Sequence, residues 1–298
     1  MEAAPRLAEA IGLRPGDLWL KRDDLTGLAA GGNKIRKLEW TLGAALADGA
    51  DVIVTTGAPQ SNHARLTAAA GARLGLEVVL VLPGAPPSHP TGNLLLDGLL
   101  GASTRWTGPG ALTEAAHDVA DELRTEGRRP VVIPFGGSNA LGAHGYRVAA
   151  DELLRQRPEV RHVVCALGSG GTMAGLVAGL GADRVIGVHT GAVDDPHAQV
   201  AALLRSMDFP KSDAALRIRD DQVGDGYESL TPGAGRALLV AARTEGLVLD
   251  PVYTARALAG LIAEVECGTI RPGEEIVFLA SGGLPGLFGH PGVPDVIT

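Results

Sequence analysis

The chain has little cysteine, few aromatic residues, no surplus of positive charge and no long apolar run. Each shortage removes a class of function. Two cysteines in 298 residues, Cys165 and Cys267, are too few for a disulfide framework or a zinc site. Each sits in an apolar stretch and is expected to pack as a small hydrophobe. Acidic residues number 34 against 26 basic ones, well mixed, for a net charge of −8. Nucleic acid and anionic membranes are therefore not expected as partners. No apolar stretch is long enough to span a bilayer. The first ten residues lack a basic start followed by an apolar run, so no signal peptide is expected and the cytoplasm is the expected location. His117, His162 and His197 have no metal-ligand spacing, so no metal is expected. Aromatics number ten, and only three are Tyr, which makes each tyrosine informative.

What is present is an alternation of β-rich runs and helical patterns. Strands are expected at 51–56, 78–82, 103–107 and 131–134, each followed by a helix, at 64–74, 91–100, 112–124 and 143–155. A second series has strands at 162–167, 185–189, 217–219, Val248-Leu249 and 276–280. Between them fall helices 171–180, 198–207, 231–245 and 254–266. Thr231-Pro232 is a helix start, with the hydroxyl as cap and Pro in the first position. The expected fold class is α/β, with two open, mostly parallel sheets and a ligand in the cleft between them. The Pro83–Pro90 segment is expected as a surface loop. Asp23-Asp24 is expected as a turn or as salt-bridged to its basic neighbours, and 124–129 as a solvated helix end.

Lys34 is the most informative single residue. It lies in Gly31-Gly32-Asn33-Lys34, where a loop becomes a helix marked by Ile35, Leu38, Leu42 and Ala45. Asn33 is the expected N-cap, which puts Lys34 in the first turn. A cation there meets the positive end of the helix dipole, which lowers the amine pKa and favours nucleophilic chemistry. The two glycines are expected to let another molecule approach, and Schiff-base chemistry follows.

Three polar clusters follow strands. Gly168-Ser169-Gly170-Gly171-Thr172 opens a helix, so its amides and hydroxyls suit a phosphate. It lacks a P-loop lysine and the dinucleotide G-x-G-x-x-G spacing. A helix-packing turn without ligand is the plainer alternative. Gln60-Ser61-Asn62-His63 crowds another strand end, where a hydroxyl and free amides suit a carboxylate, although Ser61 or Asn62 alone is commonly a simple cap. Ser281-Gly282-Gly283 is the third. Tyr227 and Tyr253 lie at loop ends, which points weakly to a site rather than the core.

Along the chain, Lys34 within Gly-Gly-Asn-Lys, Ser61-Asn62-His63, the Gly168 to Thr172 loop and Ser281-Gly-Gly occur in that order, and together they resemble the pyridoxal-phosphate enzymes of the tryptophan synthase β-subunit fold, fold type II. Within them the chain is similar to D-cysteine desulfhydrases and 1-aminocyclopropane-1-carboxylate deaminases. The stretches Leu20-Lys-Arg-Asp-Asp-Leu-Thr26, Gly31 to Glu39, Gly136-Gly-Ser-Asn-Ala-Leu-Gly142 and Leu249-Asp-Pro-Val-Tyr253 carry the likeness nearly end to end. The resemblance implies that Lys34 holds pyridoxal phosphate as a Schiff base and that Gly168, Ser169, Gly170, Gly171 and Thr172 hold its phosphate. It gives Asn62 the ring hydroxyl. Ser61, with Gln60 or His63, takes the substrate carboxylate or assists proton transfer. Tyr227 and Tyr253 line the substrate side, and Ser281 or Thr254 meets the pyridine nitrogen. It further implies a larger cofactor-binding domain, 1–40 with 146–298, a smaller one, 41–145, a small amino-acid substrate and a homodimer.

One departure decides among activities. The cyclopropane deaminases carry Glu directly after the tyrosine of the Asp250–Tyr253 motif, where this chain has Thr254. A carboxylate keeps the pyridine nitrogen protonated and the ring a deep electron sink, whereas a hydroxyl does not. Elimination from a β-substituted amino acid makes less use of such a sink, so D-cysteine desulfuration is the expected reaction. Cyclopropane-carboxylate deamination and action on other β-substituted amino acids such as cysteate are the alternatives. From another class, a non-catalytic sensor of a phosphate-bearing ligand would bind without turnover and without a bond to Lys34.

Overall fold

The computed structural model describes residues 1–108, 110, 112–209 and 215–296. Ten strands form two sheets among these residues. They are β1 (Glu2–Ala3), β2 (Leu18–Arg22), β3 (Val52–Thr56), β4 (Glu77–Pro83), β5 (Ser103–Thr107), β6 (Pro130–Ile133), β7 (His162–Leu167), β8 (Val185–His189), β9 (Arg217–Arg219) and β10 (Ile276–Ala280). The larger sheet has the order β1-β2-β10-β7-β8-β9 and the smaller β5-β4-β3-β6. Every pairing is parallel except β1 with β2. The expected α/β class with two open, mostly parallel sheets is what the chain adopts.

Both faces of each sheet are covered, which is why the strands are apolar throughout rather than alternating. Along β7, Val164 and Ala166 face the core under helices Pro5–Ala10, Pro232–Glu245 and Thr254–Glu266. Val163, Cys165 and Leu167 face the opposite core, under Ala140–Gln156, Gly171–Leu180 and Pro196–Ser206. This is the period-two alternation of a strand. All six residues of β7 are buried. Each fully buried Val or Leu contributes about 1.5–3 kcal/mol, so the strand gives the turn that follows it a firm base.

Several expectations need correction. Val248-Leu249 forms no strand; Leu249 packs into the helix-covered core without a ladder partner. The edge strand β1 and its neighbour β2 were not expected. Cys165 is buried as expected, but Cys267 is exposed at the end of helix Thr254–Glu266, with its thiol 3.1 Å from Thr269 Oγ1. Helix Asn62–Leu74 begins two residues earlier than the periodicity suggested, and Ala140–Gln156 three earlier, because Ser61 and Asn139 cap them. Asp24 pairs with Arg22 in the expected way. Asp23 is a buried anchor, bound by both arms of the Arg36 guanidinium and by the Tyr146 hydroxyl. No helix among the described residues is long and apolar enough to cross a membrane.

Candidate active site

The carboxyl ends of β3, β7 and β10 meet in one cavity between the sheets, the usual ligand position in open α/β structures. Asn33, Lys34, Lys37, Ser61, Asn62 and His63 line it from one side. From the other come Gly168, Ser169, Gly170, Thr172, Tyr253 and Ser281. Three clusters far apart in sequence are thus brought together.

Lys34 is the first residue of helix Lys34–Ala47. Asn33 does not cap it. Its backbone is already helical and its side chain donates to Thr172 Oγ1 at 3.0 Å, tying the lysine's loop to the glycine turn. The two preceding glycines serve the chain itself. A Cβ on Gly31 would lie 2.1 Å from the Asp24 carbonyl oxygen, and both glycines have positive φ. Burial pushes the Lys34 ammonium down to about 8, against an upward pull from Asp250. Desolvation, rather than the helix field, is the leading cause.

The sequence reading missed Lys37. Three residues after Lys34 on the same helix face, it is 1% exposed and lines the same cavity. Its Nζ donates to the Gly136 carbonyl at 3.2 Å and to Ser138 Oγ at 3.0 Å. Ser138 Oγ also accepts from the Gly171 amide at 3.1 Å and bonds Ser169 Oγ at 2.8 Å. A Cβ on Gly171 would fall 2.9 Å from Lys37 Nζ and 2.6 Å from Ser138 Oγ. The lysine absent from the 168–172 turn is therefore supplied by another helix. Burial first, and then the charge of Lys34, push its ammonium well below the ordinary value. The N-cap of helix Gly171–Leu180 is Gly170, at φ 87°, which offers no side chain, so past the Gly171 amide taken by Ser138 the helix N-terminus opens here.

Ser61 caps helix Asn62–Leu74, accepting from the Ala64 amide at 3.1 Å, and its own hydroxyl proton remains available to the cavity it lines. Asn62 Oδ1 accepts from Asn93 Nδ2 at 3.0 Å. His63 is 2% exposed, and its tautomer is deducible. The Thr55 hydroxyl donates to the Ile133 carbonyl at 2.8 Å, so it accepts from His63 Nε2 at 2.9 Å. The proton is thus on Nε2, and Nδ1 is a bare acceptor with no partner among the described residues. Burial, reinforced by Lys34 and Lys37, holds the imidazole well below its ordinary pKa.

Other expected residues are not all at the cavity. Gln60 spends its amide on the Thr91 carbonyl, at 3.1 Å, and the Asn93 amide, at 2.9 Å. Thr254 is buried away from the lining. Its hydroxyl donates to Asp250 Oδ1 at 2.7 Å and accepts from the Asp250 amide at 2.8 Å. Gly171 stands one layer behind, its amide on Ser138. The Tyr227 and Tyr253 hydroxyls bond each other, with rings edge to face 5.9 Å apart. Arg256, fully buried on the helix that Tyr253 precedes, donates to the Gly226, Tyr227 and Ser229 carbonyls and so fixes the Tyr227 loop. Among the described residues, the cavity lining holds two lysines and no carboxylate.

A free amine beside an anion cradle that holds its own buried ammonium suits a phosphorylated aldehyde. Comparison with known proteins agrees: the family model described as pyridoxal-phosphate dependent enzyme matches residues 1–282. The chain belongs to that family. It therefore uses pyridoxal phosphate. A putative 1-aminocyclopropane-1-carboxylate deaminase of Pyrococcus horikoshii is 40% identical, over 95% of this chain and 89% of its own length. A D-cysteine desulfhydrase of Klebsiella pneumoniae is also 40% identical, over 97% and 93%. The crystal structure of an ACC deaminase homologue superposes with a TM-score of 0.90 at 36% identity, covering 99% of this chain and 92% of that one. A processed threonine deaminase isoform 2 from Solanum lycopersicum shares the fold, with a TM-score of 0.67 at 19% identity over 95% and 78%.

Proposed function

We propose that the protein is a pyridoxal-phosphate-dependent lyase that converts D-cysteine to pyruvate, ammonia and sulfide by α,β-elimination. The observation that carries this reading is the absence of any carboxylate from the cavity lining among the described residues, with Thr254 locked onto Asp250 and the Ser281 hydroxyl left near the third strand end. When bound, the coenzyme draws electrons from Cα, and a ring whose nitrogen faces a hydroxyl does so less strongly than one facing an acid. Elimination passes its electrons promptly to the leaving sulfur. Ring opening of a cyclopropane without an α-hydrogen has no such escape.

Lys34 supplies the amine that joins the coenzyme aldehyde. Once displaced by substrate, it takes the α-proton, a role for which a pKa near 8 is well placed. Lys37, Ser169, Thr172 and the amides of the 168–172 turn hold the phosphate. Ser61, with the first amides of its helix, holds the substrate carboxylate, and Asn62 the ring hydroxyl. His63 offers only a bare Nδ1, so it acts as an acceptor in this cavity. Burial pushes Tyr227 up to about 12 and Tyr253 well above its ordinary value. Both phenols therefore stay protonated at neutral pH: Tyr227 donates to the Tyr253 oxygen, and Tyr253, which lines the cavity, donates its own proton to the departing sulfur. Ser281, rather than Thr254, serves the pyridine nitrogen. The domain division at 41–145, a homodimer and a cytoplasmic location belong to the same reading.

Two measurements test it. Purified enzyme loaded with coenzyme is expected to release pyruvate and sulfide from D-cysteine at least about tenfold faster than it releases 2-oxobutanoate from 1-aminocyclopropane-1-carboxylate. The reverse order would make the deaminase reading the better one. Separately, the apoenzyme is expected to capture coenzyme faster as pH rises, with a midpoint about 8, because only neutral Lys34 attacks. Replacing Asp250 by Asn removes the charge that raises Lys34, so the midpoint moves down. A capture rate flat from pH 6 to 10 would remove Lys34 from this role.

A further inference from the structure

A second hollow, of about 250 Å³, lies outside the catalytic cavity. The two share the side chains of Asn62 and Tyr253 as a common wall. Ala58, Pro59, Pro251, Val252 and Tyr227 give the outer hollow a largely apolar surface. At about 30 Å³ per water, its volume equals roughly eight water molecules, far more than a bare sulfhydryl requires.

Its charge is one-sided. Glu228 and Asp250 line it, and no lysine or arginine does among the described residues. The Asp250 carboxylate already accepts from the amides of Val252, Tyr253 and Thr254. The His290 ring is spent too, with Nε2 on the Glu228 carbonyl and Nδ1 accepting from the Gly292 amide. Among the described residues no cation of the hollow is available to pair with an anion, and two acids repel one. Tyr253 stands between the two hollows, its hydroxyl bonded only to Tyr227, whose carbonyl is held by Arg256.

We infer that this hollow is a subsite for an uncharged organic substituent on the leaving sulfur, so that the enzyme takes S-alkyl- and S-benzyl-D-cysteines as well as the free thiol. The inference rests on the lyase reading above. The reaction needs no oxidant. The Cα–H and Cβ–S bonds break, the C–S electron pair leaves on sulfur, and a proton makes it the thiol. Water then converts 2-aminoacrylate to pyruvate and ammonia.

Four substrates, two proteins and one binding measurement test it. The coenzyme-loaded wild type should release pyruvate from S-benzyl-D-cysteine with kcat/KM within tenfold of D-cysteine or better. S-Carboxymethyl-D-cysteine, which places a carboxylate in the hollow, should fall at least tenfold below S-propyl-D-cysteine. Ala58→Phe fills the hollow from a partly exposed position, and should cost S-benzyl-D-cysteine at least tenfold while D-cysteine changes less than threefold. Pyruvate from D-cysteine but none from the S-benzyl compound overturns the subsite and leaves the lyase reading intact. Equal loss on both substrates in Ala58→Phe also overturns it. Should D-cysteine give no pyruvate, the lyase reading fails and calorimetry decides the subsite. S-Benzyl-D-cysteine must then bind wild type at least tenfold tighter than Ala58→Phe, and equal binding sinks the inference.

Discussion

Lys34→Ala is expected to abolish the visible absorbance of the coenzyme-loaded protein and to lower turnover by at least about 10³-fold. Borohydride reduction of the wild type should fix the coenzyme on the peptide containing position 34, and on no peptide of the variant. The reason is geometric as well as chemical. Two lysines share the cavity, one helical turn apart, and both are pushed down by burial. Only one is uncommitted. Lys37 holds its nitrogen against Gly136 and Ser138, pointing it into the cradle. Lys34 makes no such bond among the described residues and lines the same cavity. A nucleophile needs its lone pair directed at the carbonyl carbon, and a nitrogen tied to Gly136 and Ser138 against the glycine turn is not free to turn toward it. If Lys34→Ala kept its colour and the label appeared at position 37, the two lysines would have to exchange roles.

The parts of this site visible in the sequence were those set locally. A strand, then glycines or hydroxyls, then a helix is a pattern of ten or so consecutive residues. It located Ser61, the 168–172 turn and Ser281 before any coordinates. Parallel strand order follows from the same alternation, so the two sheets were legible as well. What failed depended on distant partners. Lys37 looked like an ordinary helix residue, because its significance comes from Ser138 and Gly171, over a hundred residues away. Its one local signal was the i, i+3 spacing from Lys34, which puts both amines on one face. Asn33 has the residue type of a cap but is drawn across to Thr172. Thr254 lies off the cavity lining for a local reason that could have been read. Asp250-Pro251 opens a helix, and an aspartate there collects the next amides and the hydroxyl four residues on. Val248-Leu249 has strand character, but strand assignment requires a neighbour to pair with, and neither sheet reaches it.

Lys37→Met should separate coenzyme affinity from covalent chemistry. At saturating coenzyme the variant is expected to turn yellow, because Lys34 is intact, but its Kd should rise roughly tenfold to a hundredfold. A hydrogen bond to a charged group contributes about 1.5–3 kcal/mol, and about 1.4 kcal/mol is a factor of ten. A second consequence follows from the direction of the Lys37 shift. Burial and Lys34 favour its neutral amine when no anion is near, whereas a phosphate beside it favours the ammonium. Anion binding therefore shifts Lys37 toward its protonated form. Inorganic phosphate isolates this step, since it forms no bond to Lys34. Calorimetric titration of the apoenzyme with phosphate, in two buffers of different ionisation enthalpy, should show proton uptake in the wild type. In Lys37→Met the uptake should fall by up to about one proton, together with weaker binding. A variant that binds phosphate as tightly as wild type with the same uptake would place the anion's counter-charge elsewhere. The cradle would then rest on the amides and hydroxyls of the 168–172 turn alone. The linkage also has a sign that can be checked in the intact enzyme. Raising the pH makes the uptake harder, so phosphate affinity should fall with pH in the wild type more steeply than in Lys37→Met.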